Sequence, residues 1–106
     1  MAVVMLVCDD LLSKVQLESN WKAKGLTVVN DKSTENPQII ALDLRPNNAL
    51  ERITELLNAY PDAQLVAFGP HVQVERLKAA KEAGAHLVVA RSAVVEKVGQ
   101  LATRLA

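Results

Sequence analysis

With 106 residues, the chain has room for one hydrophobic core and is too short for two. Half of its residues are hydrophobic, yet it has only one Trp, one Tyr and one Phe, so the core must be aliphatic. Twelve basic residues balance twelve acidic ones, which argues against a nucleic-acid or anionic-membrane surface, since either needs a net basic patch.

The first apolar run, "AVVMLVC" (2–8), ends at Asp9-Asp10. It has no basic segment ahead of it and is too short for a signal peptide or a membrane span. It reads as a buried strand. Cys8, the single cysteine, excludes an internal disulfide and suits a reducing cytoplasm, which is the expected location. Residues 11–24 form a helix pattern closed by Gly25, a natural residue just past a helix end. On a helical wheel Leu11, Leu12, Val15 and Ala23 gather on one side, and Leu17 and Trp21 on another. One narrow stripe cannot hold both sets. Core is the commoner fate of a tryptophan; the alternative makes Leu17 and Trp21 an exposed anchor pair for an interface.

"LTVVN" (26–30) and "QIIALDL" (38–44) are the next strands, joined by only seven residues, "DKSTENP". Parallel crossovers normally take a dozen or more residues, usually with a helix. Seven extended residues span at most ~25 Å, enough for a bare strap with little room for a helix. The second helix of a regular alternation is therefore expected to be short or missing. One face of the sheet, over the first and third strands, should lack cover and be met by a partner or a second copy. Residues 49–60 form a helix after Asn48, with Glu51 placed as in a capping box and Pro61 beyond its end. "AQLVAF" (63–68) is a strand, 72–83 a helix stopped at Gly84, "HLVVA" (86–90) a strand, and 93–105 a helix after Ser92. "FGPH" reads as a loop, with His71 and His86 as ordinary loop or surface histidines. The alternation implies an α/β sandwich on a parallel sheet.

Ligands of open α/β sheets bind beyond the carboxyl ends of the strands. Asp9-Asp10, Asp43 and Arg91-Ser92 stand at three such ends. Neighbouring carboxylates repel unless a cation intervenes. That cation is either Mg²⁺, held by carboxylates and water, or Arg91, whose planar guanidinium matches a carboxylate. Asp9 and Asp10 read either as metal ligands or, for one of them, as the cap of the following helix.

The blocks "VVMLVCDD", "IIALDLRP", "PDAQLVAFGPH" and "EAGAHLVVARS" resemble those of response-regulator receiver domains, over roughly residues 2 to 105. The resemblance implies a three-layer, flavodoxin-like single domain (1–106) with a five-stranded parallel sheet of order 2-1-3-4-5. It implies Mg²⁺ at Asp9 and Asp10 and a phosphoacceptor at Asp43. The family has Ser or Thr where this chain has Gly69, and Lys where it has Arg91. These departures, with the missing helix, resemble the pseudo-receivers, which keep the fold and bind partners without a phosphorylation cycle. The expected function is a non-enzymatic signalling or regulatory domain acting through protein contacts or self-association, with no nucleic acid and no membrane as partner. Asp43 would then be held by Arg91 in an internal ion pair. The alternative is a working relay component taking phosphate from a histidine kinase onto Asp43. No output domain is expected after the last helix, so output would pass through a separate molecule.

Overall fold

The computed structural model describes residues 2–105. Five strands, β1 (Val3–Val7), β2 (Thr27–Val29), β3 (Ile39–Asp43), β4 (Gln64–Gly69) and β5 (Leu87–Ala90), form one parallel sheet in the order β2-β1-β3-β4-β5. Four helices flank it: α1 (Leu11–Ala23), α2 (Ala49–Ala59), α3 (Val74–Glu82) and α4 (Val94–Leu105), the last preceded by a 3₁₀ turn at Arg91–Ala93. Ser92 thus lies inside that turn rather than capping α4. No helix lies between β2 and β3.

Strand residues alternate between two cores because successive side chains point to opposite faces. Val4, Leu6, Ile39, Ala41, Val66 and Phe68 pack with α1 and α4, whereas Met5, Val7, Ile40, Leu42, Leu65 and Ala67 pack with α2 and α3. Burial on both sides explains why these runs are continuously apolar.

The bare face expected from the missing helix is not there. Met5, Val7, Ile40 and Leu42 are all buried. The α2 stripe, with Ile53 buried and Leu50, Leu56, Leu57 and Tyr60 packed around it, covers them. The strap is tied to the same helix, because Arg52 Nη2 of α2 donates to Asp31 at 2.9 Å. Two helices suffice for this side, and the argument for self-association through it falls away.

Of the two apolar sets on α1, the smaller one that holds the tryptophan faces the core. Leu17 and Trp21, the candidate interface pair, are core: Trp21 is 0% exposed and its Nε1 donates to the Val95 carbonyl at 3.2 Å. Leu11, Leu12 and Val15 face outward at 72%, 68% and 52% exposure. Ser13, Leu17 and Trp21 make one row along the helix at intervals of four residues, and all three are buried. The large indole decides the orientation, since one aromatic removes more area from water than a small aliphatic side chain.

Two glycines mark helix ends in the left-handed region, Gly25 at φ 84° and Gly84 at φ 119°. At Gly84 a Cβ would also approach Leu57 Cδ1 to 2.9 Å, so the α3–β5 turn packs against α2 there. Asn48 precedes α2 as its cap residue, but its side chain makes no capping hydrogen bond.

Trp21→Ala should cost about 3–5 kcal/mol of unfolding free energy, whereas Leu12→Ala should stay within about 0.5 kcal/mol of wild type. Urea denaturation of both variants checks the assignment, and the reverse ranking would refute this orientation of α1.

Candidate functional site

The C-terminal ends of β1 and β3 bring Asp10 and Asp43 together. Asp43 closes β3, opposite Phe68 in the β3–β4 register, and is 2% exposed. The chain then folds back on it. The Arg45 N–H donates to Asp43 Oδ1 at 3.0 Å, a turn in which an aspartate accepts from the backbone two residues on. This turn aims the Arg45 side chain at the same carboxylate. Nε lies 3.3 Å from Oδ1 and 3.1 Å from Oδ2, and Nη2 lies 2.9 Å from Oδ2. Cys8 Sγ, at the end of β1, donates to Oδ2 at 3.5 Å. Both carboxylate oxygens are satisfied, as burial of a charge requires.

The same guanidinium reaches the neighbouring aspartate, with Arg45 Nη2 3.3 Å from Asp10 Oδ2. Asp10 is the cap of α1. Its Oδ2 accepts from the Ser13 N–H at 3.3 Å and also from the Ser13 hydroxyl. Hydrogen bonding from Ser13, then from Arg45, holds the Asp10 carboxyl below the usual aspartate range. Bonding to Asp43 and to Asp10 holds the Arg45 proton more firmly than usual, although the side chain is 39% exposed. Burial pushes the Cys8 thiol up, so it stays protonated and serves as a donor.

Asp9 points elsewhere. It is exposed on the rim, 3.8 Å from Arg52 Nη1, beside Asp31 of the strap. From α3, Arg76 donates Nε to the Leu44 carbonyl and Nη2 to the Pro46 carbonyl, bracing the segment that carries Arg45. Asp9, Asp10, Asp43, Arg45 and Pro46 line an open depression at this end of the sheet.

The cation beside Asp43 is therefore Arg45, where Arg91 was the expectation. Arg45 is two residues from its carboxylate and needs only a turn to reach it. Arg91 begins the 3₁₀ turn after β5 and lies along a separate cleft beside α1. Gly69 ends β4 and is buried; a Cβ there would meet Leu44 Cβ at 3.4 Å, an ordinary contact. Packing alone does not demand glycine at this position.

The site's donors do not form a metal cradle. Among the described residues no group of three His, Cys, Asp or Glu side chains is gathered for a metal ion. Asp10 Oδ2 and both oxygens of Asp43 are committed to hydrogen-bond donors, and Asp9 turns to Arg52. Arg45 brings one positive charge to the pair Asp10 and Asp43.

No family model matches the chain, and no curated protein matches it in sequence. Solved structures match its fold. A response regulator from Thermotoga maritima has a TM-score of 0.77 at 16% identity, over 94% of this chain and 96% of that one. The receiver domain of a Francisella response regulator has a TM-score of 0.80 at 12% identity, over 100% of both chains. A Burkholderia pseudomallei response regulator protein, solved with a phosphorylated aspartic acid, a calcium ion and citrate, has a TM-score of 0.80 at 20% identity, over 92% of this chain and 64% of that one. The chain has the fold of response-regulator receiver domains. Between β2 and β3 it carries a strap with no helix.

Sequence reading placed Asp10 and Asp43 at adjacent strand ends but missed Arg45, Ser13 and Arg76. For Arg45 a signal was present, because an aspartate followed two residues later by a long cation suits a side-chain-to-backbone turn. Arg76 had none: its targets are two backbone carbonyls.

Two outcomes are expected. Arg45→Ala should destabilise by about 1–2 kcal/mol, the low part of the range for a buried group losing its partner, since Arg45 itself is partly solvated. In a double-mutant cycle with Asp43→Asn the coupling should be about 1 kcal/mol; a coupling near zero would remove the clamp from this account. The Asp10 interaction is complete above the ordinary aspartate pKa of about 4 and is lost as pH falls through the lowered value of the folded state. Stability of wild type relative to Asp10→Asn should therefore shrink on acidification below about pH 4, as measured by denaturation across pH.

Proposed function

We propose that this chain is a receiver-like regulatory module that acts through protein contacts and keeps its acidic site closed by an internal cation. The observation that carries this reading is the Arg45 clamp, which occupies both Asp43 oxygens and one of Asp10. Accepting a phosphoryl group needs a free aspartate oxygen as nucleophile, and here that oxygen would first have to leave a charge-assisted fork. Gly69 supports the same conclusion, because it supplies no hydroxyl at the end of β4 to register an occupied site.

The contact surface this reading favours is the start of α1. Leu11, Leu12 and Val15 are exposed on consecutive turns immediately after Asp9-Asp10. Exposed aliphatic side chains clustered beside a polar rim suit a partner surface. The module would present this patch constitutively, since Arg45 already holds the adjoining carboxylates of Asp10 and Asp43.

The relay reading rests on fold likeness, most directly to the Burkholderia protein with its phosphorylated aspartic acid and calcium ion. One experiment separates the two: intact mass after incubation with Mg²⁺ and a small acyl phosphate, for wild type, Asp43→Asn and Arg45→Ala. Wild type should gain no phosphoryl mass. A gain in wild type that Asp43→Asn abolishes would overturn the closed-site reading in favour of a live acceptor. A gain confined to Arg45→Ala would identify the clamp as the block.

A further inference from the structure

The residue expected at the acidic site has a different setting. Arg91 lines a cleft of about 500 Å³ between α1, the loop after β4 and the start of α4. Its Nη1 is enclosed and has no hydrogen-bond partner among the described residues. None of the ion pairs formed among those residues includes it. A guanidinium held partly out of water without a counter-charge is costly, and it lowers that cost by meeting an anion.

The rest of the cleft suits such a guest. Among the described residues no Asp or Glu lines it, so no carboxylate side chain on those walls repels negative charge. Gln16, from α1, and Ser92, beside Arg91, bring an amide and a hydroxyl to the lining. Leu17, Pro70 and Val95 supply apolar wall. A cationic fork, an amide and a hydroxyl, with Asn20 and His71 also on the lining, and an aliphatic wall make a small-molecule site in miniature.

We propose that this cleft binds a small organic oxyanion, a carboxylate or phosphate monoester carrying a short aliphatic body. The Arg91 guanidinium takes the oxyanion, because its planar donors match either group, and its enclosed Nη1 would have to turn into the cleft to share in that contact. Gln16 and Ser92 hydrogen-bond its remaining polar atoms, and the aliphatic part lies on Leu17, Pro70 and Val95. The site is separate from the Asp43 depression and does not depend on whether that depression accepts phosphate. Trp21 is its natural reporter: it follows Leu17 by one helical turn and is bonded to the carbonyl of Val95, and both neighbours line the cleft.

The test is a two-dimensional NMR titration of the full chain with butyrate and, separately, with ethyl phosphate. Saturable shifts are expected at the amides of Gln16, Asn20 and Ser92 and at the Trp21 indole, with a dissociation constant of about 1 mM or tighter for the better probe. The tighter arm assigns carboxylate or phosphate. Arg91→Gln should weaken that binding about tenfold or more, while Asp43→Asn should leave it unchanged. Gln16→Ala, expected to weaken binding by a smaller factor, serves as a second variant should Arg91→Gln fail to fold. Linear, non-saturating shifts with both probes would overturn the proposal. So would saturable binding that maps to Arg45 and Asp43, or that survives both substitutions.

Discussion

The buried carboxylate of Asp43 is the constraint around which this end of the molecule is arranged. A charge at 2% exposure persists only if donors surround it. The chain gathers them from three places: the thiol that ends β1, the backbone N–H two residues on, and the Arg45 side chain that this turn delivers. Arg45 then extends the arrangement to Asp10, and Asp10 caps α1 through Ser13. Arg76 holds the carbonyls on either side of Arg45, so α3 is tied to the same point. The start of one helix, the end of two strands and the flank of another helix all meet at one neutralised charge.

This arrangement separates the fold from the chemistry often associated with it. Receiver-fold proteins of known structure match the chain over almost its whole length at 12% to 20% identity, which is likeness of architecture. What stands at the strand ends is not given by that likeness and is read from this structure alone. The carboxylates are present, but their counter-charge is covalently part of the chain. Arg45 is never more than a turn away, so its effective concentration at the carboxylate is high whatever ions the surroundings hold. A soluble cation would have to compete with a partner that cannot diffuse off.

Much of the fold was legible because both faces of the sheet are covered. Runs such as "IIAL" and "LVAF" can hardly be anything but strands buried on two sides, and Gly25 and Gly84 punctuate the helices where a left-handed residue is needed. The strap was legible from length alone. Its consequence was not, since sequence spacing says nothing of how far the broad stripe of α2 reaches across β1 and β3. The face of α1 was left between two apolar sets: Leu11, Leu12 and Val15 outnumber Leu17 and Trp21, but area rather than number decides, and the tryptophan is core, its commoner fate. At the site, strand ends located Asp43 correctly. The choice between two arginines turned on side-chain direction, which a linear reading does not carry; a local turn outcompeted a distant strand.

Gly69 has a consequence for how easily such a module changes character. The space beside its Cα is bounded by Leu44 and Leu77 at ordinary contact distances, and its backbone is in no conformation reserved for glycine. The absent side chain is therefore not a structural necessity of the strap, of the clamp or of the sheet. A hydroxyl-bearing residue is separated from this protein by one substitution with little packing cost. The scaffold thus remains adjacent, in sequence space, to chemistry that its present surface does not display.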